Sequence, residues 1–329
     1  MEIALQGQEK RWLGVIPLFN PQEGVTVLNP PEAGVGYWVG APSILYDRET
    51  SKFYLYYRIR KPRPARGIKC FVAESVDGVK FSPIWEATKE EFHSPSIEKA
   101  CLVKTRDAKY RLYISYVDPE SKQWRIDMME ASSPDKFKVS ERKQILTASS
   151  IKCEGVKDPY VLIVGGQYYM IVSYAPTPMK IDEDLKEKMH MTGDVYNTGI
   201  TKSHTGLALS CDGVNFKWWG DILSPGESWD AYASRISCVV YLPPIFTAFY
   251  DGSASVKENY EEKTGIAISF DLLHYKKLSL DKPELVSPHA SGCLRYMDSI
   301  IVEDEIYYYY EYARPDGSHE IRMNKVKIK

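Results

Sequence analysis

The chain lacks most of the features that would mark it for a membrane, an oxidising compartment or a polyanion. No run of 18 apolar residues occurs, so no transmembrane helix is expected. The N-terminal stretch MEIALQGQEKRWLG has no basic segment followed by an apolar core, which argues against a secretory signal. The six cysteines, Cys70, Cys101, Cys153, Cys211, Cys238 and Cys293, form no CxxC pair, and most fall within strand-like segments. They read as small buried hydrophobes in a reducing setting, and a cytoplasmic location is expected. A net charge of −2 over 329 residues gives no field that would hold a nucleic acid. No His, Cys or Asp spacing typical of a metal site is present, and no cofactor is expected.

Tyrosine is abundant instead, with 24 copies gathered in clusters such as FYLYYR (Phe53 to Arg58) and IYYYYEY (Ile306 to Tyr312). Aromatic and β-branched runs of this kind form strands. Most of these rings should pack between sheets, although tyrosine also suits a sugar site, where the ring stacks and the hydroxyl bonds.

A turn recurs along the chain. SVDGVKF (Ser75 to Phe81), ASSPDKF (Ala131 to Phe137), SCDGVNF (Ser210 to Phe216) and SFDLLHY (Ser269 to Tyr275) each close a strand, and their final aromatics fall 56, 79 and 59 residues apart. Three strands of fixed character precede each turn. The first strands are apolar segments with polar residues near their openings, beginning at Ala41, Ser96, Lys157, Ala233 and Leu294; a Tyr-rich strand and a third, mixed strand follow. Five such copies fill the chain from about residue 40, the fifth truncated. Four-stranded units at this period, with no amphipathic helix between them, predict an all-β fold: a single five-bladed β-propeller domain with antiparallel blades around a central channel. Residues 12–38, with Trp12, are available to close the ring, and 175–205 form an inserted loop. A pair of β-sandwiches is the competing architecture, but it leaves the fixed order of strand types unexplained.

In a propeller, first strands line the channel, and their N-terminal ends share a face with the loops between second and third strands. That geometry collects Ala41, Glu98, Asp158, Arg235, Arg295 and Asp298 from the first strands. Arg58, Arg60, Asp118, Asp251, Glu311 and Arg314 come from the second-to-third connections. Convergent acids and guanidiniums on one face point to a binding site.

The motif KDPYVLIVGGQYYMIVSY (Lys157 to Tyr174) resembles the channel strand of five-bladed propeller glycoside hydrolases, among them families 43 and 32 and the mannoside phosphorylases of family 130. GAPSILYD (Gly40 to Asp47) is similar to the first-blade strand of family 43, and FYLYYRIRKP (Phe53 to Pro62) to the arginine-ended strand of family 130. The resemblance implies a glycosidase, with Asp158 matching the third-blade aspartate of family 43. Ala41 stands where that family has its base, and Ser234-Arg235 where it has its acid. Glu98 keeps only the glutamate of the family 130 Glu-Asp-Pro-Arg motif.

Glycoside cleavage needs two carboxyls. Glu98 and Asp158 are the leading pair, with Asp298, Glu311 and Asp230 in reserve. Arg58, Arg60, Arg235, Asp251, Arg295, Glu311, Arg314 and His319 are expected to bind substrate, and the arginines suit a uronate or phosphate group. His319 also occupies a blade where family 43 members can carry a channel histidine near a bound ion. His190 and His204, in the insertion, are further candidates to meet substrate. The expected partner is an oligosaccharide or glycoside, with no nucleic acid and no membrane, and a homo-oligomer is left open. The alternatives are a phosphate-dependent phosphorylase, a non-catalytic sugar-binding propeller that has lost its base at Ala41, and a protein-interaction scaffold.

Overall fold

The computed structural model describes Gly14 and residues 16–328, so Trp12 lies outside the described residues. The fold is all-β apart from one short helix, and it is built from four-stranded antiparallel units. The first strand, β1 (Val25–Leu28), belongs to the last unit. The first unit holds β2 (Trp38–Asp47), β3 (Lys52–Lys61), β4 (Arg66–Ser75) and β5 (Ser82–Thr88). The second holds β6 (Ile97–Lys104), β7 (Tyr110–Val117), β8 (Trp124–Ala131) and β9 (Lys143–Leu146). The third holds β10 (Cys153–Val164), β11 (Gln167–Pro176), β12 (His204–Ser210) and β13 (Lys217–Leu223). The fourth holds β14 (Ala233–Leu242), β15 (Ile245–Ser253), β16 (Lys263–Ser269) and the two-residue β17 (Lys276–Lys277). The fifth has β18 (Leu294–Val302), β19 (Glu305–Ala313) and β20 (His319–Lys327), and β1 supplies its fourth strand by pairing antiparallel with β20.

Three units are separate sheets, whereas a single parallel bridge, Trp38 to His319, joins the fifth to the first. Each inner strand packs beside the next unit's: β2 by β6, β6 by β10, β10 by β14, β14 by β18, and β18 by β2. Burial falls outward. β7 is buried at every residue, while β5, β9 and β13 are largely exposed or half-buried. Strands covered on both faces read as continuous apolar runs, and half-exposed ones do not.

Three of the four recurrent turns are one structure repeated. The Ser75 hydroxyl donates to Asp77 Oδ1 at 2.8 Å, and the same oxygen accepts from the amides of Val79 and Lys80. Ser210 with Asp212 and Ser269 with Asp271 build identical turns, since a short carboxylate satisfies the backbone two and three residues on. The second-strand tyrosines then reach across to the neighbouring unit. Tyr113 donates to Gly213 O at 2.7 Å, Tyr309 to Gly78 O at 2.6 Å and Tyr56 to Glu98 O at 2.6 Å. The tyrosine clusters thus supply both core area and hydrogen bonds between units.

The insertion between β11 and β12 carries α1 (Glu183–His190). Asp182 caps it by accepting from Leu185 N at 2.8 Å, and acids in the first turn with Lys188 and His190 in the last oppose the helix dipole. No helix among the described residues is long and apolar enough to cross a membrane.

Tyr113→Phe and Tyr309→Phe are each expected to cost about 1–2 kcal/mol in denaturant unfolding, because a buried glycine carbonyl loses its donor. Tyr241→Phe, at an exposed ring, should stay within about 0.5 kcal/mol.

Candidate functional site

Every inner strand carries a β-bulge at the same level. The register with the second strand breaks between Gly40 and Ser43, Ile97 and Ala100, Lys157 and Tyr160, Ile236 and Cys238, and Arg295 and Asp298. Ala41, Asp158 and Tyr296 sit in these bulges with φ of 55°, 55° and 51°. Left-handed backbone at a non-glycine residue costs on the order of 1 kcal/mol or more, so the fold invests strain to aim these positions inward. The bulges also correct the sequence alignment. Tyr296, not Arg295 or Asp298, is the counterpart of Ala41, Glu98 and Asp158; Arg235 and Arg295 stand at the level of Gly40, Ile97 and Lys157.

Around the bulges lies a buried chain of ion pairs. Glu98 receives Arg58 Nε in a short contact and lies 3.5 Å from Arg60 Nη1. Arg58 Nη2 reaches Glu311 Oε2 at 3.5 Å, and Arg295 binds Glu311 Oε1 and Glu262 Oε2, each at 2.7 Å. Glu262 in turn receives Arg235. The chain therefore runs through the second, first, fifth and fourth units, and the third adds Lys157, whose ammonium lies 3.2 Å from Asp158 Oδ2. Glu311 fills the space over the first bulge: its Oε2 accepts from Ala41 N at 3.2 Å, and a Cβ on Gly40 would fall 1.7 Å from that oxygen. Only glycine fits there.

The carboxylates divide electrostatically. Burial opposes ionisation of Glu98, Glu262 and Glu311, but the guanidiniums outweigh it and hold all three below the usual range, Glu262 at about 2. Asp251 and Asp298 go the other way. Burial pushes Asp251 up to about 7 against the pull of Arg235, and Asp298 up to about 6 against Lys99. Asp251 accepts from Tyr296 N at 3.0 Å and 3.2 Å. Asp158 is held through its backbone, whose N–H donates to Ser115 Oγ at 3.2 Å, and by Tyr296 OH at 3.5 Å. Its Oδ1 has no donor among the described residues. Among the described residues, neither Arg58 Nη1, Lys157 Nζ nor Arg235 Nε and Nη1 has an acceptor in hydrogen-bonding geometry.

A cover of aromatic and acidic side chains closes over this cluster. Lys157 Nζ lies 5.0 to 5.8 Å from the ring centres of Tyr196, Trp124 and Tyr260, and Arg60 stacks between Trp38 and Tyr260 at 5.0 and 4.9 Å. Asp194, from the insertion, is fully buried; it receives Arg63 at 2.5 Å and the Tyr260 hydroxyl, and lies 3.5 Å from Arg66.

Of the residues expected from sequence, Glu98, Asp158, Arg58, Arg60, Arg235, Asp251, Arg295, Glu311 and His319 are brought together. Asp298 lies a layer below, its carboxylate accepting from the Ile44 and Ser299 amides, each at 2.8 Å. Arg314 is not brought in: it is part-exposed on the rim, where it donates to Asn29 at 3.3 Å. Asp118 pairs with Arg125 at 2.9 Å, Asp230 with Lys277, His190 with Glu154 at 2.7 Å and His204 with Asp221 at 2.7 Å, all outside the cluster. Sequence reasoning missed Glu262, Tyr296, Lys157 and the cover residues Asp194 and Tyr260. Lys157 could have been found from its place beside Asp158; Glu262 precedes its strand in an ordinary charged turn and carries no local signal.

Removing one partner of a buried ion pair strands the others. Glu311→Ala should therefore cost about 3–5 kcal/mol in denaturant unfolding, because Arg58, Arg295 and His319 all lose a carboxylate. Asp251 predicts a pH signature. An unfolded aspartate ionises near 3.9 and the folded one near 7, so its contribution is complete below about pH 4 and is lost as pH rises to about 7. Asp251→Asn should match the parent near pH 4 and exceed its unfolding free energy by about 4 kcal/mol at pH 8.

No family model and no curated protein sequence matches the chain. Solved structures do. A β-1,2-mannobiose phosphorylase from Listeria innocua superposes with a TM-score of 0.62 at 15% identity, covering 92% of this chain and 94% of that one. A thermostable family-43 glycoside hydrolase gives 0.62 at 15% identity over 92% of each chain. A member of the family 130 mannoside phosphorylases, described with glycoside hydrolases that target β-1,2 mannosidic linkages in Candida mannan, gives 0.61 at 14% identity over 96% and 99%. The chain shares the fold of these structures over nearly its whole described length.

Proposed function

We propose that the chain is a single five-bladed β-propeller domain and an enzyme acting on the glycosidic bond of an oligosaccharide or glycoside that carries an anionic group. The five units with their inner strands side by side, and the fifth unit completed by β1, support the propeller. The observation that carries the activity is the set of buried polar atoms without partners among the described residues: Asp158 Oδ1, Arg58 Nη1, Lys157 Nζ and Arg235 Nε and Nη1. Buried donors and acceptors left unpaired are costly, and a sugar bearing a carboxylate or phosphate supplies the missing partners.

In this reading Asp158 is the carboxylate that meets the reacting centre. Asp251, which holds its proton to about pH 7, is the group suited to protonate the leaving oxygen, as a general acid must. Glu98 is pinned by two arginines and stays ionised, so it positions Arg58 and Arg60 and is a poor proton donor. Asp194, Tyr196 and Tyr260 form a lid that moves aside to admit substrate and then excludes water.

A second reading, a sugar-binding propeller without turnover, is favoured by Ala41, which offers no carboxylate at the first bulge. A product-resolved screen of oligosaccharides and uronate glycosides, with and without inorganic phosphate, tests both. Cleavage that falls at least 100-fold in Asp158→Asn supports the proposal, and dependence on phosphate makes the enzyme a phosphorylase. Binding by calorimetry without turnover across the panel overturns it in favour of the second reading.

A further inference from the structure

His319 stands between two acids. Its Nδ1 is 2.7 Å from Glu311 Oε1 and its Nε2 is 3.0 Å from Glu261 Oε2, while Trp38 stacks on the ring at 4.5 Å. A neutral imidazole has only one N–H, so it can donate to only one of these carboxylates, and its other lone pair would face an anion. Both contacts are satisfied either by a second ring N–H or by a cation held at one ring nitrogen. Beside Nε2 and Glu261 is a third donor, the thiol of Cys293, and the three ligating atoms lie within 4.8 Å of one another. Cys293 and His319 are fully buried, and no hydrogen bond to the Cys293 thiol is found among the described residues.

We infer that Glu261, Cys293 and His319 form a site for a thiophilic divalent cation of the zinc class. Zinc takes thiolate, imidazole and carboxylate at about 2.0–2.3 Å in tetrahedral array, which places its ligands roughly 3.5 Å apart, and a closure of about an ångström brings the three donors there. The surroundings already hold the ligands as such a site requires. Glu311 lies behind the imidazole, accepts from Nδ1 and so leaves the Nε2 lone pair for the metal. Ser291 donates to Glu261 Oε2 at 2.5 Å and to no other acid. The Cys293 backbone is fixed by Ala313 N, which donates to its carbonyl at 3.0 Å. Glu261 alone of the three is part-exposed and provides the entry side. On binding, the cation takes the place of a proton between Nε2 and Glu261 and displaces the Cys293 thiol proton to solvent.

The ligands come from three separate segments: the turn before β16, the loop before β18 and the start of β20. The ion would therefore tie together the fourth and fifth units next to Tyr260 and Glu262, which line the cover and the ion-pair chain. Three donors at 261, 293 and 319 follow no ligand spacing that a sequence motif would reveal.

Titration of the chelator-treated full chain with Co(II) tests the site without reference to any activity. One equivalent should produce a thiolate-to-cobalt charge-transfer band in the near ultraviolet with intense visible d–d bands, and Zn(II) should displace it. Cys293→Ser should abolish the charge-transfer band, Glu261→Gln should weaken binding at least tenfold, and Cys211→Ser, at the exposed cysteine, should leave both unchanged. Thermal melts establish that each variant is folded, and if Cys293→Ser does not fold, the Glu261→Gln titration decides. A folded parent that yields no charge-transfer band, a band that survives Cys293→Ser, or affinity indifferent to Glu261→Gln overturns the assignment.

Discussion

The cost of burying charge governs the centre of this molecule. A guanidinium or carboxylate taken out of water costs several kcal/mol even after relaxation, and that cost is recovered only where geometry and further hydrogen bonds are good. Arg58 and Arg295 are fully buried, as are Glu262 and Glu311, so none can be left without its partners. Glu262 and Glu311 are each shared between cations of different units, Glu98 takes both arginines of β3, and the chain from Arg60 to Arg235 links four of the five. Its registry depends on the bulges, and the bulges depend on the register of first and second strands. A change at one inner strand is therefore felt in the units that share the chain.

Two kinds of contact keep that arrangement in place from outside. The turn carboxylates fix the ends of the third strands, and the tyrosine hydroxyls of the second strands hold the turn carbonyls of the neighbouring unit. Trp38 and Tyr296 add aromatic faces to Arg295 at 5.0 and 4.7 Å. These interactions leave little freedom at the level of Asp158. The segment around Asp194 carries α1 and a 3-10 turn at Val195–Asn197, and its buried aspartate is held by Arg63, Arg66 and the Tyr260 hydroxyl.

The repeat was legible because its signals are local. Asp two residues after Ser, an aromatic at re-entry and a tyrosine-rich second strand depend only on neighbouring residues and on burial from both faces. The fourth strands were not legible, since half-exposed edges such as β17 are short and mixed in composition. In the site, the residues on strands whose order was clear came out near their true places. The level of Arg235 and Arg295 did not, because a bulge adds a residue to a strand without leaving a mark in composition. Arg314 and Asp298 were grouped with the cluster because sequence order alone cannot separate rim, middle layer and lower layer.

By itself, then, the sequence determined an all-β chain of repeated antiparallel units, the turns that punctuate them and the acids and arginines at their inner ends. Tertiary structure alone decided which acids remain ionised, which hold a proton, and which donors stay unpaired. The physical reason is that pattern and turn chemistry are set over a few residues, whereas the state of a buried charge is set by groups such as Glu262, Glu98 and Lys157 that lie many residues apart and meet only when the inner strands stand side by side.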